Sequence, residues 1–198
     1  MIILNIIGLA AVLMLILKVP YGYGTTDECY YLLSPLKVLQ GDAMLKDEWF
    51  VAQLFGFILM PVLKLYLLLA GGTEGIILAF RYIYVAVKVL AAIFIYRRLK
   101  RITDLFPAFL GTLLFLIYTP FDIMALSYNT IGHICMCMSM AIMVSMKGRE
   151  IAASLLAGLL YAAAVLCCPY LIVIYILYSI LILVSRRSSW AKNTAALK

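Results

Sequence analysis

Long apolar segments dominate this chain and leave little choice of solvent. They cover residues 2–19, 49–70, 75–96, 105–122, 131–146 and 151–184. Hydrophobic residues make up 67% of the 198, against roughly 45–50% in soluble domains. The mean hydropathy is +1.11. A soluble fold of this length has too small an interior for so much apolar surface. A bilayer takes it readily, since a spanning helix needs about 20 mostly apolar residues. Strand-like alternation is scarce, so helices are the expected spanning structure. The fold class that follows is all-α: a polytopic helical membrane protein with about six hydrophobic helices and an outer-face loop carrying interfacial helices.

The last segment, 34 residues long, would make a helix of about 51 Å, well beyond a core of roughly 30 Å. Cys168-Pro169 near its middle is a reasonable break, because proline removes a backbone donor. Two helices, 151–168 and 170–184, are expected. The first segment reads as a retained membrane helix rather than a leader peptide. No basic residue precedes it and no small-x-small cleavage pattern follows.

Lysine and arginine set the orientation. Arg97-Arg98-Leu99-Lys100-Arg101 is the strongest basic cluster, followed by Lys147-Gly148-Arg149 and Ser185-Arg186-Arg187. The positive-inside rule places all three in the cytoplasm, with the N-terminus. Asp27, Glu28, Asp42, Asp47 and Glu48 then face outward. Residues 1–185 form one membrane module with its outer loop at 20–74, and 186–198 form a cytoplasmic basic tail. The protein is expected to be an integral, multi-pass membrane protein, in the plasma membrane if bacterial.

Charge sorting raises a parity problem. If 49–70 and 75–96 both span, the acidic loop falls on the same side as Arg97–Arg101. If only 75–96 spans, the charges sort cleanly. Segment 49–70 also carries Gln53, Pro61 and Lys64, with Trp49 and Tyr66 toward its ends. The expectation is an amphipathic or re-entrant element at the outer interface. The alternative is an ordinary spanning helix whose loops break the charge rule.

Within the outer loop, Thr25-x-x-Glu28 has the form of a capping box. A helix over 27–39 would place Tyr31, Leu32, Pro35, Leu36 and Leu39 on an apolar side, and Gly41-Asp42 would stop it. The pair Asp27-Glu28 would sit at its N-terminus. Two readings stand: stabilisation of a helix start, worth a few tenths to about 1 kcal/mol each, or chemistry at the membrane surface. Arg81 lies inside an apolar segment, where an arginine is costly and by default functional, unless it snorkels to the headgroups. Asp122, Tyr128 and Asn129 lie on the outward side, either as polar residues at helix ends or as one wall of a pocket. Lys88 either pairs within the bundle or snorkels.

The ordered pattern of the whole chain resembles the N-terminal part of the polyprenyl-phosphate-dependent glycosyltransferases of the GT-C class, which include protein O-mannosyltransferases and lipid A aminoarabinose transferases. The elements are a first helix and an outer loop with Thr26-Asp27-Glu28, then a second loop element from Gly41 to Leu54. A helix opening with Arg81-Tyr82 and closing on Tyr96-Arg97-Arg98-Leu99 follows. Asp122 then stands before Ala125-Leu126-Ser127-Tyr128-Asn129-Thr130, and Ala157-Gly158 leads to Cys168-Pro169. The family's frequent Pro-Pro-Leu is absent from the second loop element, and Cys168 stands where lysine is more usual. The resemblance implies sugar transfer from a polyprenyl-phosphate donor to an acceptor at the outer membrane face. Asp27 is the implied base, with Glu28 beside it as the second catalytic residue. Arg81 and Lys46 are implied at the leaving phosphate, and Gln53, Asp122, Tyr128 and Asn129 at the substrate. Family members are longer, so this chain is expected to be an N-terminal module, a fragment, or a reduced member needing a partner membrane subunit. The alternative is a non-catalytic membrane protein, a degenerate remnant or a subunit that binds lipid-linked sugar. A small transporter would need charge pairs buried across several helices, and the sequence shows no such pattern.

The net charge of +7 is not a nucleic-acid signature, because the basic residues sit in short clusters beside apolar segments. The expected partners are a lipid-linked sugar donor and membrane lipids, with no nucleic acid. No cofactor or metal is expected. In His133-Ile134-Cys135-Met136-Cys137 the middle ligand would point away on a helix, and nothing supplies a fourth. Cys135, Cys137, Cys167 and Cys168 lie in apolar runs and read as buried free thiols.

Overall fold

A computed structural model of the chain describes residues 2–21, 27–43, 46–47, 52, 54–146, 150–177 and 180. Among the described residues the protein is all-helical, with no strand. The elements are α1 (Ile2–Lys18), α2 (Asp27–Gln40), α3 (Phe55–Ala70), α4 (Ile76–Leu99), α5 (Leu105–Ile117), a 3-10 turn η1 (Pro120–Asp122), α6 (Tyr128–Ser145) and α7 (Ile151–Cys167). A further helical stretch covers 171–177.

Among the described residues one helix, α4, is long and apolar enough to cross a membrane by length and composition. The sequence led us to expect about six such helices. Two of the others end early for identifiable reasons. The segment expected to run to Asp122 stops as α5 at Ile117. Proline 120 disfavours the helical conformation at the residue before it, and Thr119 is extended, with φ −123°. Helix α7 stops at Cys167, one residue earlier than expected and just before Cys168-Pro169. Helix α6 starts three residues earlier than expected. Ser127 caps it by accepting from the Thr130 N–H, while Thr130 Oγ1 accepts from the Ser127 N–H at 2.8 Å.

Helix α4 is the hub. It packs on α5 and α6 and touches α1 and α2, while α6 and α7 form the most extensive helix pair. Its buried face holds Phe80, Tyr84, Val85, Ala91, Ala92 and Ile95, but also Arg81 and Lys88. Helix α3 packs chiefly on α2. Phe55, Leu59 and Leu63 are buried there, at the spacing of one helical face, whereas Phe57, Leu65, Leu68 and Leu69 stay exposed. Gly71, in the left-handed conformation at φ 69°, ends α3 as its C-cap.

Much of the molecular surface is apolar. On α1, Ile3, Ile6, Leu9, Met14 and Leu17 are exposed, and on α7 so are Ile151, Leu155 and Leu159. Contiguous apolar surface on this scale marks a membrane or partner contact.

Candidate functional site

Glu28 and Arg81 meet in the interior. Glu28 is the second residue of α2 and Arg81 lies in the second turn of α4. Their exposures are 4% and 6%. One terminal nitrogen of Arg81, Nη2, donates to both carboxylate oxygens of Glu28, at 2.9 and 2.7 Å. The other, Nη1, donates to the Val19 carbonyl at 2.9 Å. That carbonyl lies just past the end of α1, where helix carbonyls lack intrahelical partners. One guanidinium therefore joins three elements: the end of α1, the start of α2 and the body of α4. Arginine suits this task because its planar fork serves two acceptors at once. Its Nε is buried without a hydrogen-bond partner among the described residues.

Asp27 opens α2, so the Glu28–Arg81 contact fixes the backbone next to it. Its side chain lies outside the described residues, as do Gln53 and the Thr25 of the expected capping box. Gly41, at φ 99°, follows the end of α2 where the sequence placed a stop. Lys46 is exposed in the turn beyond, its backbone N–H donating to the Ala43 carbonyl.

Tyr128 belongs to an aromatic cluster below the start of α2. Its ring lies 5.6 Å from Tyr31 and 5.7 Å from Phe55, and Tyr31 meets Phe55 edge-on at 6.1 Å. The cluster ties α2, α3 and the first turn of α6 together. Asn129, beside it, is buried. A cleft of about 450 Å³ opens at the N-terminus of α4, lined by Pro20, Thr73, Gly75, Ile76, Leu78 and Arg81.

Asp122 takes part in a different group. Its carboxylate accepts from Lys18 Nζ at the end of α1, an exposed ion pair. Phe121 and Asp122 are consecutive non-glycine residues with left-handed φ of 54° and 56°. Lys88 lies fully buried nearby. Its ammonium donates to the Tyr118 carbonyl and to Thr119 Oγ1, both at 2.9 Å, and faces the Tyr84 ring. It thus pairs within the bundle and satisfies the carbonyl end of the shortened α5, where a cation is favoured.

His133 stacks on Phe115 and meets Tyr118 edge-on, and Cys137 Sγ lies 3.8 Å from its Nε2. Among the described residues no group of three or more His, Cys, Asp or Glu side chains could hold a metal ion. All five cysteines are free, with Cys167 and Cys168 buried, Cys135 and Cys137 half-buried, and Cys29 exposed.

The sequence singled out Glu28 and Arg81 separately, and the fold brings them into contact. It pairs Asp122 not with them but with Lys18, which sequence reasoning missed although it stands near the end of the first apolar segment. No family model, curated protein or solved structure matches the chain.

Proposed function

We propose that this chain is a membrane glycosyltransferase, or the N-terminal module of one, that moves a sugar from a polyprenyl-phosphate-linked donor to an acceptor hydroxyl at the outer membrane face. In this reading it is a multi-pass protein with a cytoplasmic N-terminus. The apolar surfaces of α1, α3 and α7 face lipid. Arg98 at the end of α4 lies 4.0 Å from Glu150 at the start of α7, which supports putting those two ends on one side, the basic side that this reading assigns to the cytoplasm.

The observation that carries the reading is the buried Glu28–Arg81 contact at the start of α2. It divides the acidic pair into two tasks. Glu28 is committed to Arg81 and acts as a positioning residue. Asp27, one residue earlier, is left for chemistry at the membrane surface. The acceptor hydroxyl attacks the anomeric carbon and loses its proton to the Asp27 carboxylate. The new glycosidic C–O bond forms as the bond to the lipid phosphate breaks, and the phosphate leaves with the bonding electrons. Arg81 is largely neutralised by Glu28, so it holds the site's frame. Lys46 and Gln53, on the link between α2 and α3, are the residues left to meet the donor. Tyr128 and Asn129 form the wall beneath.

The same contact also favours a second reading. A guanidinium whose two terminal nitrogens are already engaged by a carboxylate and a carbonyl is a structural clamp, which suits a non-catalytic subunit that binds lipid-linked sugar. Reconstituted protein and a radiolabelled polyprenyl-phosphate hexose separate the two. The enzymatic reading expects time-dependent release of polyprenyl phosphate when an acceptor is present. Saturable binding of the labelled lipid without release, for every acceptor class tried, would establish the subunit instead.

A further inference from the structure

A cavity of about 690 Å³ lies between α1, the end of α5 and η1, and neither Glu28 nor Arg81 lines it. We infer that it is a binding site for an anionic amphiphile: a lipid monophosphate whose head rests on Lys18 and whose tail runs along α1. The inference uses the membrane placement of the chain but not sugar transfer.

Three observations converge on this ligand class. First, the α1 residues lining the cavity are Ala11, Met14, Leu15 and Lys18. Their spacing of i, i+3, i+4 and i+7 makes a single helix stripe. It is apolar for about 10 Å and then ends in an ammonium. A lipid in the outer leaflet has the same order, with tail below and charged head above.

Second, the polar end of the cavity is cationic in balance. Lys18 and Asp122 line it, together with Tyr118 and Thr119. Lys88 stands directly behind Tyr118 and Thr119, hydrogen-bonded to both and without a carboxylate partner among the described ion pairs. The Lys18 ammonium and the buried Lys88 ammonium behind this wall thus outnumber the one carboxylate, and a phosphate head on Lys18 supplies the missing negative charge.

Third, Asp122 is held over the cavity by unfavourable backbone. Two adjacent left-handed non-glycine residues, Phe121 and Asp122, are uncommon, and backbone strain of this kind tends to cluster at functional sites. The Lys18–Asp122 pair they position is exposed on both sides, and such pairs are weak. An anionic head can therefore take the Lys18 ammonium from Asp122 at little cost. Asp122 acts as a competing ion for the same cation. This predicts opposite effects for its two partners.

The test uses the full chain in nanodiscs of zwitterionic phosphatidylcholine, titrated with phosphatidic acid and read by quenching of a brominated acyl chain. Lys18→Ala should weaken phosphatidic acid binding about tenfold, the loss of one charge-assisted contact. Asp122→Asn should tighten it several-fold by removing the competitor. Lys64→Ala, which removes an exposed lysine of α3, should leave it unchanged. Diacylglycerol should not compete, and neither should inorganic phosphate, which lacks the tail. Binding that ignores Lys18→Ala, or weakens in Asp122→Asn, overturns the inference. So does competition by inorganic phosphate alone, which would make the site one for free anions. If Lys18→Ala fails to fold, the sign of the Asp122→Asn effect decides by itself.

Discussion

Replacing Glu28 by glutamine leaves the Arg81 charge in the interior without its counter-ion. Breaking a buried pair by removing one partner costs about 3–5 kcal/mol, so Glu28→Gln and Arg81→Ala should each lower stability by that order. Thermal unfolding of detergent-purified protein checks this. Arg81→Lys should not restore stability, since an ammonium lacks the planar fork that reaches both Val19 and Glu28. Each of these residues was visible in the sequence, Glu28 as half of an acidic pair and Arg81 as a charge in an apolar segment. Their pairing was not, because 53 residues separate them and only tertiary packing brings the start of α2 against α4. The commitment of Glu28 changes how the acidic pair is read: two similar carboxylates became one clamp and one candidate base.

At the scale of elements, the long apolar runs located the helices, and local polar chemistry set their ends. Ser127 and Thr130 cap α6 reciprocally. Ser-x-x-Thr is a weak pattern in sequence, so that helix was expected to start at the next apolar run. Ser127→Ala should cost about 1 kcal/mol, as cap removal does elsewhere. The α6–α7 pair rests on close approach at Gly132. A Cβ there would stand 2.8 Å from Cys168 Sγ, and that thiol is itself held by donating to the Tyr128 carbonyl at 3.2 Å. Gly132→Ala should therefore destabilise by about 1–3 kcal/mol, the usual cost of overpacking. Adding Cys168→Ala should recover part of that loss. A double-mutant cycle in thermal unfolding reads the coupling, and additive losses would show that the contact is not the cause. Helix α5 is the element least legible in advance. Its apolar run continues past Ile117, but Pro120 and the strained Phe121-Asp122 pair break it, and Lys88 receives its open end.

For the whole molecule, composition already pointed to a bilayer, and the exposed apolar faces of α1, α3 and α7 agree with that. The number of spans could not be read from hydropathy, because short apolar helices such as α5 share the composition of spanning ones. The proposed topology puts α2 outside. Cys29 is the one exposed cysteine among the five. It should react with a membrane-impermeant maleimide on intact cells, and Cys29→Ser should abolish that labelling. Labelling confined to inverted vesicles would reverse the orientation. The division of labour within Asp27-Glu28 is the central claim, and one paired measurement tests it most directly: sugar release from a polyprenyl-phosphate donor, assayed beside the melting temperature, for Asp27→Asn and Glu28→Gln. The account predicts that Asp27→Asn loses release at least a hundredfold with an unchanged melting temperature, while Glu28→Gln melts markedly lower. Full release by a stable Asp27→Asn protein would contradict it.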